Sequence, residues 1–310
     1  MEVLGREVPA PISDLHDEVV ALRPEASLVF KKGFPPGGGK SWHRGDVGGD
    51  SEIVLSEDFE DFDIAHALLH AYLYRQGCPL AEGLPGFERD GGRAARLVSC
   101  AVTHPTLHAA AQKRNLPDEI WRKPLVDRAQ INPDDEGESS LLGLTEALNL
   151  ADAASAYPED AAAVVEECRT RFPERWKAVE ELMAAMGRNS QIAGMRLRRS
   201  MIDLLSYFDG YLAPEFKPET PLLKSVWVML VLAEHQLSRP ADRLVELVMA
   251  SSSVVAFVHK QDHGVFYNRV IGRGPKRELA EMKLELKKSR LAEFLETYWV
   301  PYVVDMGTSS

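Results

Sequence analysis

The feature of this sequence that most constrains its fold is a pair of histidines inside an apolar segment. His66 and His70 are four positions apart, and on an α-helix such residues lie one turn above each other on the same face. The residues around them are apolar on nearly every side of that helix: Ile64, Ala65, Ala67, Leu68, Leu69, Ala71 and Leu73. A helix that is apolar all round is buried. The sequence therefore predicts two buried imidazoles that need polar partners, and one metal ion can satisfy both.

The spacing alone is a weak signal, because the chain has two further pairs of the same kind, His104/His108 and His259/His263. For a random pair we expect two separately hydrogen-bonded histidines. For His259 and His263 we favour surface histidines at a helix end, with a second metal site or an approach to the first site as alternatives. Context distinguishes the first pair, which lies in mid-helix, directly after a β-prone segment and before a turn at Gly77.

The first 76 residues predict a helix, a strand, a loop, a strand and a second helix. Helical spacing of apolar residues covers 12–22, and short β-prone runs cover 26–30 and 51–56. The segment 33–49 is rich in glycine and is predicted to be a mobile loop. The helix that carries the first histidine pair is predicted over 62–76, after an acidic start that complements its dipole.

The rest of the chain predicts mainly helices. One covers 93–102, and a second begins near Pro105, which pushes His104 out of helical geometry. After a linker at 133–140, helices are predicted at 144–156, 159–170, 175–186, 191–212, 222–237, 241–257 and 277–298. The predicted fold class is α+β. A small domain (1–132: helix, short sheet, histidine helix) precedes a mostly α-helical domain (141–310) for substrate selection or regulation.

Composition and charge indicate which partners and which cellular compartment to expect. The net charge is −11, so we expect no nucleic-acid partner, and the basic cluster Arg196, Arg198 and Arg199 is predicted to lie on a solvated helix face. Three cysteines give no disulfide framework and suit a reducing compartment. Neither a signal peptide nor an apolar run of the ~18–20 residues that a membrane span needs is visible. We expect a cytoplasmic protein without a membrane partner, and the oligomeric state stays open.

The segment Ala-His-Ala-Leu-Leu-His-Ala, residues 65–71, resembles the active-site helix of the HExxH zincin metallopeptidases. The helix and strands before it resemble the minimal zincin core of the IrrE/ImmA-like peptidases, intracellular proteins of bacteria and their mobile elements. The resemblance covers about residues 12–76 and does not include the helical half. It implies Zn²⁺ held by His66, His70 and a third ligand, with a water at the open position, and hydrolysis of a protein or peptide substrate.

Ala67 stands where that family has its catalytic glutamate, the general base that takes a proton from the water. Two explanations are open: a natural pseudopeptidase, or a deliberate Glu→Ala substitution that silences an active enzyme. We favour the second, a zinc metallopeptidase present in a catalytically inactive form. The alternative is a pseudopeptidase that acts as a binding adapter or sensor. A third hypothesis is a helical interaction protein with accidental histidine pairs. An extended substrate is expected to add to the strand at 51–56.

The resemblance implies a third ligand, which we expect from a segment that comes after the histidine helix in the chain. His104 is our first choice, at the predicted break between two helices. A helix-capping or core histidine is the alternative interpretation of that residue. A gluzincin-like site would instead take a carboxylate, which leaves Glu82, Glu88 and Asp90. Glu88 is the reserve candidate among them.

Overall fold

The computed structural model describes residues 1–35, 39–45, 50–84, 87, 89–130, 140–188, 194–271 and 275–305. The helices in these ranges are α1 (Ala10–Leu22), α2 (Asp61–Arg75), α3 (Asp90–Lys113), α4 (Arg122–Asp127), α5 (Leu141–Ala156), α6 (Pro158–Arg171), α7 (Pro173–Arg188), α8 (Gly194–Tyr211), α9 (Leu222–Ser225), α10 (Glu234–Leu237), α11 (Pro275–Lys288) and α12 (Leu291–Thr297). The strands are β1 (Glu2–Val3), β2 (Arg6–Glu7), β3 (Leu28–Lys32), β4 (Ser41–Gly45), β5 (Ser51–Leu55), β6 (Ala81–Gly83), β7 (Val226–Val228), β8 (Leu230–Ala233), β9 (Val245–Ser251), β10 (Val254–His259), β11 (Val265–Val270) and β12 (Tyr302–Asp305). This mixture of helices and small sheets confirms the α+β fold class.

A three-stranded sheet in the order β3-β5-β4 lies beside α2. Strand β5 is parallel to β3 and antiparallel to β4, with Ser41 opposite Leu55 and Gly45 opposite Ser51. The segment 51–56 is therefore a central strand, and its predicted role as the free edge is wrong. The predicted loop at 33–49 contains β4, which is an outer strand of this sheet, as is β3. Gly45 permits this packing, because a Cβ there would lie 2.1 Å from the ring of Tyr74.

Helix α2 agrees with the predicted histidine helix, and its first and last turns are fixed by polar contacts. At its start, the Asp63 carboxylate accepts a hydrogen bond of 2.8 Å from the backbone N–H of Glu60. At its end, Gly77 adopts a φ of +94°, a left-handed conformation that glycine takes without steric cost. The backbone N–H of Cys78 then bonds to the carbonyl of Leu73 at 3.1 Å. These contacts set where the histidine helix begins and ends.

Arg75 connects the last turn of α2 to the neighbouring elements. Its buried guanidinium donates hydrogen bonds to the backbone oxygens of Val19 (2.8 Å), Ala26 (3.2 Å) and Ser27 (2.7 Å). These oxygens belong to α1 and to the segment that leads into β3. A planar cation with several donors can satisfy all three acceptors at once. Arg75 therefore holds the histidine helix against both α1 and the small sheet.

Helix α3 is continuous, and the two helices predicted on either side of His104 are wrong. Pro105 lies inside α3, where it removes one backbone donor and costs about 3 kcal/mol relative to an ordinary helical residue. The helix nevertheless buries apolar side chains on both sides of Pro105, including Val102 and Leu107. That burial outweighs the local cost, so packing overrides the breaking signal.

The second half of the chain contains more sheet than predicted. Helices α5 to α8 agree with the predicted ones, but the helices expected at 222–237 and 241–257 are wrong. Those segments form most of the strands of a five-stranded sheet in the order β6-β7-β11-β10-β9, while β8 pairs with β12. The reason is that short apolar runs rich in valine fit a buried strand as well as a buried helix. The segment 141–310 is still mostly helical as predicted, but the part after α8 combines helices with strands.

The hydrophobic core is shared by the two predicted domains. One buried apolar cluster extends from Val3 to Val228, and a second extends from Leu230 to Val300. Strand β6 of the first half pairs with β7 of the second half. The predicted linker at 133–140 lies outside the described residues except for Ser140, so the domain division stays a prediction. Among the described helices, none is both long enough and apolar enough to cross a membrane.

Arg198 departs from the solvated helix face predicted for its basic cluster. Its side chain is 3% exposed and forms a bidentate ion pair with Asp262, with distances of 3.0 and 3.2 Å. It also donates to the backbone oxygens of Val228, Met229 and Gly264. The guanidinium thus joins α8 to β7 and to the connection between β10 and β11.

We expect Asp262→Asn to lower the free energy of unfolding by about 3 kcal/mol, because it leaves the buried Arg198 without its counter-charge. Burial alone would raise the pKa of Asp262, but a hydrogen bond from His259 and the charge of Arg198 outweigh burial and lower it. The stabilisation is therefore present above the unfolded pKa and is lost as the pH falls through the lower folded value. Urea denaturation measures the effect.

The control, Asp203→Asn, breaks an exposed pair with Arg199 and should change the free energy of unfolding by less than about 1 kcal/mol. Equal effects would contradict the structural role of the buried pair.

Candidate metal centre

Three imidazole nitrogens converge between α2 and α3. His66 and His70 come from successive turns of α2, and His104 comes from α3. The Nε2 atom of His66 lies 3.0 Å from that of His104 and 3.3 Å from that of His70. Nitrogen ligands at about 2.0–2.1 Å from a tetrahedral zinc ion are about 3.3–3.4 Å apart. The structure therefore brings together the three predicted ligands at distances close to those that one ion requires.

His104 reaches this point from the interior of a helix, not from the predicted break between two helices. Because α3 is continuous through Pro105, the imidazole of His104 has the fixed direction of a helical side chain. Its side chain is 8% exposed. The interpretation of His104 as a capping residue is therefore wrong, whereas its role as a ligand stays a prediction.

A chain of hydrogen bonds fixes which nitrogen of His104 carries its proton. The indole Nε1–H of Trp121, which can only donate, contacts Nδ1 of His108 at 3.3 Å. In the neutral ring, His108 must then carry its proton on Nε2, which lies 2.7 Å from one oxygen of Asp152. The other oxygen of Asp152 is 2.5 Å from Nδ1 of His104. The Nδ1–H of His104 donates to this carboxylate, so its Nε2 can present a lone pair to His66.

The electrostatics of His104 favour a positive charge at this position. Burial lowers the pKa of His104, but the charge of Asp152 and the neighbouring Cys100 outweigh burial and raise it to about 10. A proton on Nε2 would lie between His104 and His66. A metal ion placed there would supply the same positive charge and displace that proton. The carboxylate behind His104 is the kind of outer partner that orients and strengthens histidine ligands.

His66 and His70 are both neutral at ordinary pH. Burial lowers the pKa of His66 well below its usual value, and repulsion from His70, His104 and nearby arginines adds to the effect. Burial likewise lowers the pKa of His70, with further contributions from His104 and His43. Metal ligation requires deprotonated imidazole nitrogens. These two side chains therefore meet the chemical requirement without a change in protonation.

Cys100 is a member of this site that the sequence analysis missed. Its Sγ atom lies 3.8 Å from Nε2 of His70, and the donor atoms of His66, His70, Cys100 and His104 all lie within 4.8 Å of one another. Cys100 is four positions before His104 on α3. The same spacing that singled out the histidine pair on α2 could have identified it. This group of four side chains could hold a metal ion.

Of the three carboxylates considered as the third ligand, Glu82 and Asp90 are not part of this group. Glu88 lies outside the described residues. Glu82 is on β6, with its carboxylate 3.7 Å from Nε of Arg44, and Asp90 is in the first turn of α3. Among the described residues, neither joins a group with metal-ligand distances.

The pair formed by His259 and His263 does not join such a group in the described part of the chain either. His259 ends strand β10, is 7% exposed and has Nδ1 at 3.3 Å from Asp262. His263 follows in the connection to β11 with a φ of 57°. The expected helix end is therefore wrong for this pair, and so is the surface position of His259, whereas His263 is exposed as expected.

Two cavities meet at the histidines. The larger, of about 360 Å³, is lined by His66, Cys100, His104 and Asp152 together with basic side chains that include Lys40 and Arg128. The smaller, of about 40 Å³, is lined by the following residues: Ser41, Trp42, His43, His66, Ala67, His70, Leu80, Ala81, Arg96, Ser99 and Cys100. Ala67, which the zincin resemblance aligns with the catalytic glutamate, therefore lies in the wall of a small cavity next to the predicted ligands.

Two polar atoms in the wall of the smaller cavity are buried without a hydrogen-bond partner. They are Nδ1 of His43 and Oγ of Ser99. Burial, with a contribution from Arg75, lowers the pKa of His43 to about 3, so its ring is neutral. The other nitrogen of His43 lies 3.3 Å from Oγ of Ser51. Such unpaired buried groups are rare in folded proteins and usually point to a missing polar partner.

Comparison of the chain with models of protein families, with curated proteins and with solved structures gives no match. The resemblance to zincin peptidases therefore stays a prediction that depends on the motif and on the geometry of this site.

We expect Asp152→Asn to weaken metal binding by about 10–100-fold, the usual effect of losing an outer partner of a histidine ligand. Asparagine has one acceptor oxygen and cannot accept from both His104 and His108, so the orientation of His104 is lost. Competition with a chelator, with Zn²⁺ as the probe, measures the affinity. The control, Asp160→Asn, removes an exposed partner of Arg122 and should leave the affinity unchanged. Unchanged affinity in both variants would show that Asp152 does not support a ligand.

Proposed function

We propose that this protein is a zinc-dependent peptidase for a protein substrate, in a form that lacks its general base at position 67. The convergence of three imidazole Nε2 atoms at 3.0 and 3.3 Å carries this proposal. Two of the rings, those of His66 and His104, also line a cavity of about 360 Å³. A cavity beside a metal site gives a substrate access to the ion, which a purely structural site does not need.

Zinc is the metal that these donors fit best. Imidazole nitrogens and a thiol are typical zinc ligands, and the nitrogen spacing is close to that of a tetrahedral site. His66, His70 and His104 would hold the ion, and Asp152 would keep His104 in place. When bound, zinc would polarise the scissile carbonyl and make water a better nucleophile.

The three free cysteines support a reducing compartment, and we propose that the protein acts in the cytoplasm.

The surroundings of Ala67 support a glutamate at this position in the active form. A side chain that extends from residue 67 would enter the small cavity that His43 and Ser99 also line. Both contribute a buried atom without a partner, and a carboxylate in this cavity could accept a hydrogen bond from such a group. The same carboxylate would lie one residue after His66, where it could take a proton from the attacking water and pass it to the leaving amine.

Strand β4 is the best candidate for the binding of an extended peptide. It is one of the two outer strands of its sheet, and Ser41, Trp42 and His43 of this strand line the small cavity next to the histidines. Backbone hydrogen bonds to an outer strand bind extended peptides with little regard to sequence. A peptide added to β4 would pass close to the metal site, which the central strand β5 does not allow.

A natural pseudopeptidase is the second candidate function, and Cys100 favours it. A thiol within reach of the three imidazoles offers a fourth ligand, and four protein ligands are typical of a structural zinc site. In such a protein Ala67 would be the native residue, and the fold would serve as an adapter or sensor.

We expect the purified protein to contain one zinc ion per chain, because Ala67 replaces no ligand. His66→Ala and His70→Ala should each remove most of this zinc, as measured by elemental analysis of protein prepared without added metal. The control is His235→Ala, which changes an exposed histidine of α10 and should leave the zinc content unchanged. Full zinc content in the first two variants would refute the assignment of the site.

We expect Ala67→Glu to raise hydrolysis of a partner protein by about 10²–10⁴-fold, the usual contribution of a positioned general base. The purified variant is incubated with a lysate of the source cell, and new N-termini are identified by mass spectrometry. Ala67→Gln is the matched control, because it has nearly the same size and cannot take a proton.

New termini that appear only with glutamate and disappear with a chelator would support the peptidase. An inactive Ala67→Glu variant with zinc bound would instead favour the adapter.

A further inference from the structure

Cys100 occupies a position in the site that a peptidase mechanism does not use. It lies one turn before His104 on α3, is 6% exposed and lines both cavities. Its sulfur is within 4.8 Å of a ring nitrogen of each of the three histidines. The thiol is thus in the wall that separates the two cavities, where any ion held by the imidazoles would meet it.

The distances fit a tetrahedron that includes sulfur. A sulfur ligand at about 2.3 Å and a nitrogen ligand at about 2.0–2.1 Å from zinc are about 3.5–3.6 Å apart in tetrahedral geometry. The observed distance between Sγ of Cys100 and Nε2 of His70 is 3.8 Å. A shift of a few tenths of an ångström, within the reach of a χ1 rotation, would bring the sulfur to ligand distance.

We propose that Cys100 is the fourth ligand of the metal in the Ala67 form of this protein, so that a thiolate closes the site that a catalytic metal keeps open. This inference rests on the metal site of the proposed function. Binding forms a metal–sulfur bond and releases the thiol proton to solvent, and the oxidation state of the sulfur does not change. A closed site with three nitrogens and one sulfur leaves no position for water or substrate.

A closed site also has a consequence for catalysis. The thiolate must leave the ion before a water or a scissile carbonyl can bind there. In the Ala67→Glu background, Cys100→Ser should therefore increase hydrolysis, because a neutral hydroxyl is a much weaker zinc ligand than a thiolate. A purely structural role for Cys100 in packing predicts the opposite, since a serine at a buried position would only weaken the fold.

Cobalt spectroscopy tests the ligand directly. Co²⁺ is titrated into the metal-free protein in the presence of a thiol-free reductant, and the absorption spectrum is recorded. We expect intense visible bands of tetrahedral cobalt together with a sulfur-to-cobalt charge-transfer band in the near ultraviolet. Cys100→Ser and Cys100→Ala should keep cobalt binding but lose the charge-transfer band, and should weaken zinc binding by at least ~10-fold. The control is Cys78→Ala, which changes another buried free cysteine outside the metal-ligand group.

The possible results of the cobalt titration distinguish failure of this inference from failure of the proposed function. Cobalt bound through the histidines without a charge-transfer band in the unaltered protein would overturn the role of Cys100 and leave the peptidase proposal intact. A band that persists in both Cys100 variants would also overturn it. A protein that binds neither cobalt nor zinc would refute the metal site, and with it both proposals.

Discussion

The interaction on which the site depends most is the buried carboxylate of Asp152 between two imidazoles. Asp152 is 3% exposed. Burial alone would raise its pKa, but the charges and hydrogen bonds of His104 and His108 outweigh burial and lower it. A buried charge is tolerated only when it is paired and hydrogen-bonded in this way. Because the two oxygens hold two different rings, the carboxylate fixes the direction of His104 relative to α2, and the spacing of the three Nε2 atoms follows.

This arrangement makes the site a product of both predicted domains. His66, His70 and His104 come from the first, but Asp152 belongs to α5 of the second, and α5 and α7 both pack on α3. A segment that ended before residue 133 would contain all three histidines and would lose the group that orients one of them. Helix α5 therefore contributes directly to the site, a role that the prediction of substrate selection or regulation for the second domain did not include.

The sequence predicted the parts of the site that depend on local periodicity, and it failed where distant packing decides. Helix α2, its end at Gly77 and the orientation of His66 and His70 follow from spacing within one segment. The continuous path of α3 through Pro105 does not, because buried contacts on both sides of the proline outweigh its local cost. Strand β4 was also missed, since its pairing with β5 overrides the glycine-rich composition around it. No local pattern connects Asp152 to the histidines, whose contact with it depends on how α5 packs against α3.

The polar atoms around Ala67 bear on whether alanine belongs there. Leaving a buried donor or acceptor without a partner costs about 1–3 kcal/mol, and two residues that line the small cavity each carry such an atom, Nδ1 of His43 and Oγ of Ser99. Alanine at position 67 offers these atoms no polar group, whereas a carboxylate there would extend into the cavity that both residues line. Cys100 instead favours a non-catalytic site, because its thiolate would leave no open position on the ion. Both features are compatible if the thiolate is a displaceable ligand. A glutamate at position 67 would then supply the general base, and Cys100 would bind the ion until substrate replaces the thiolate.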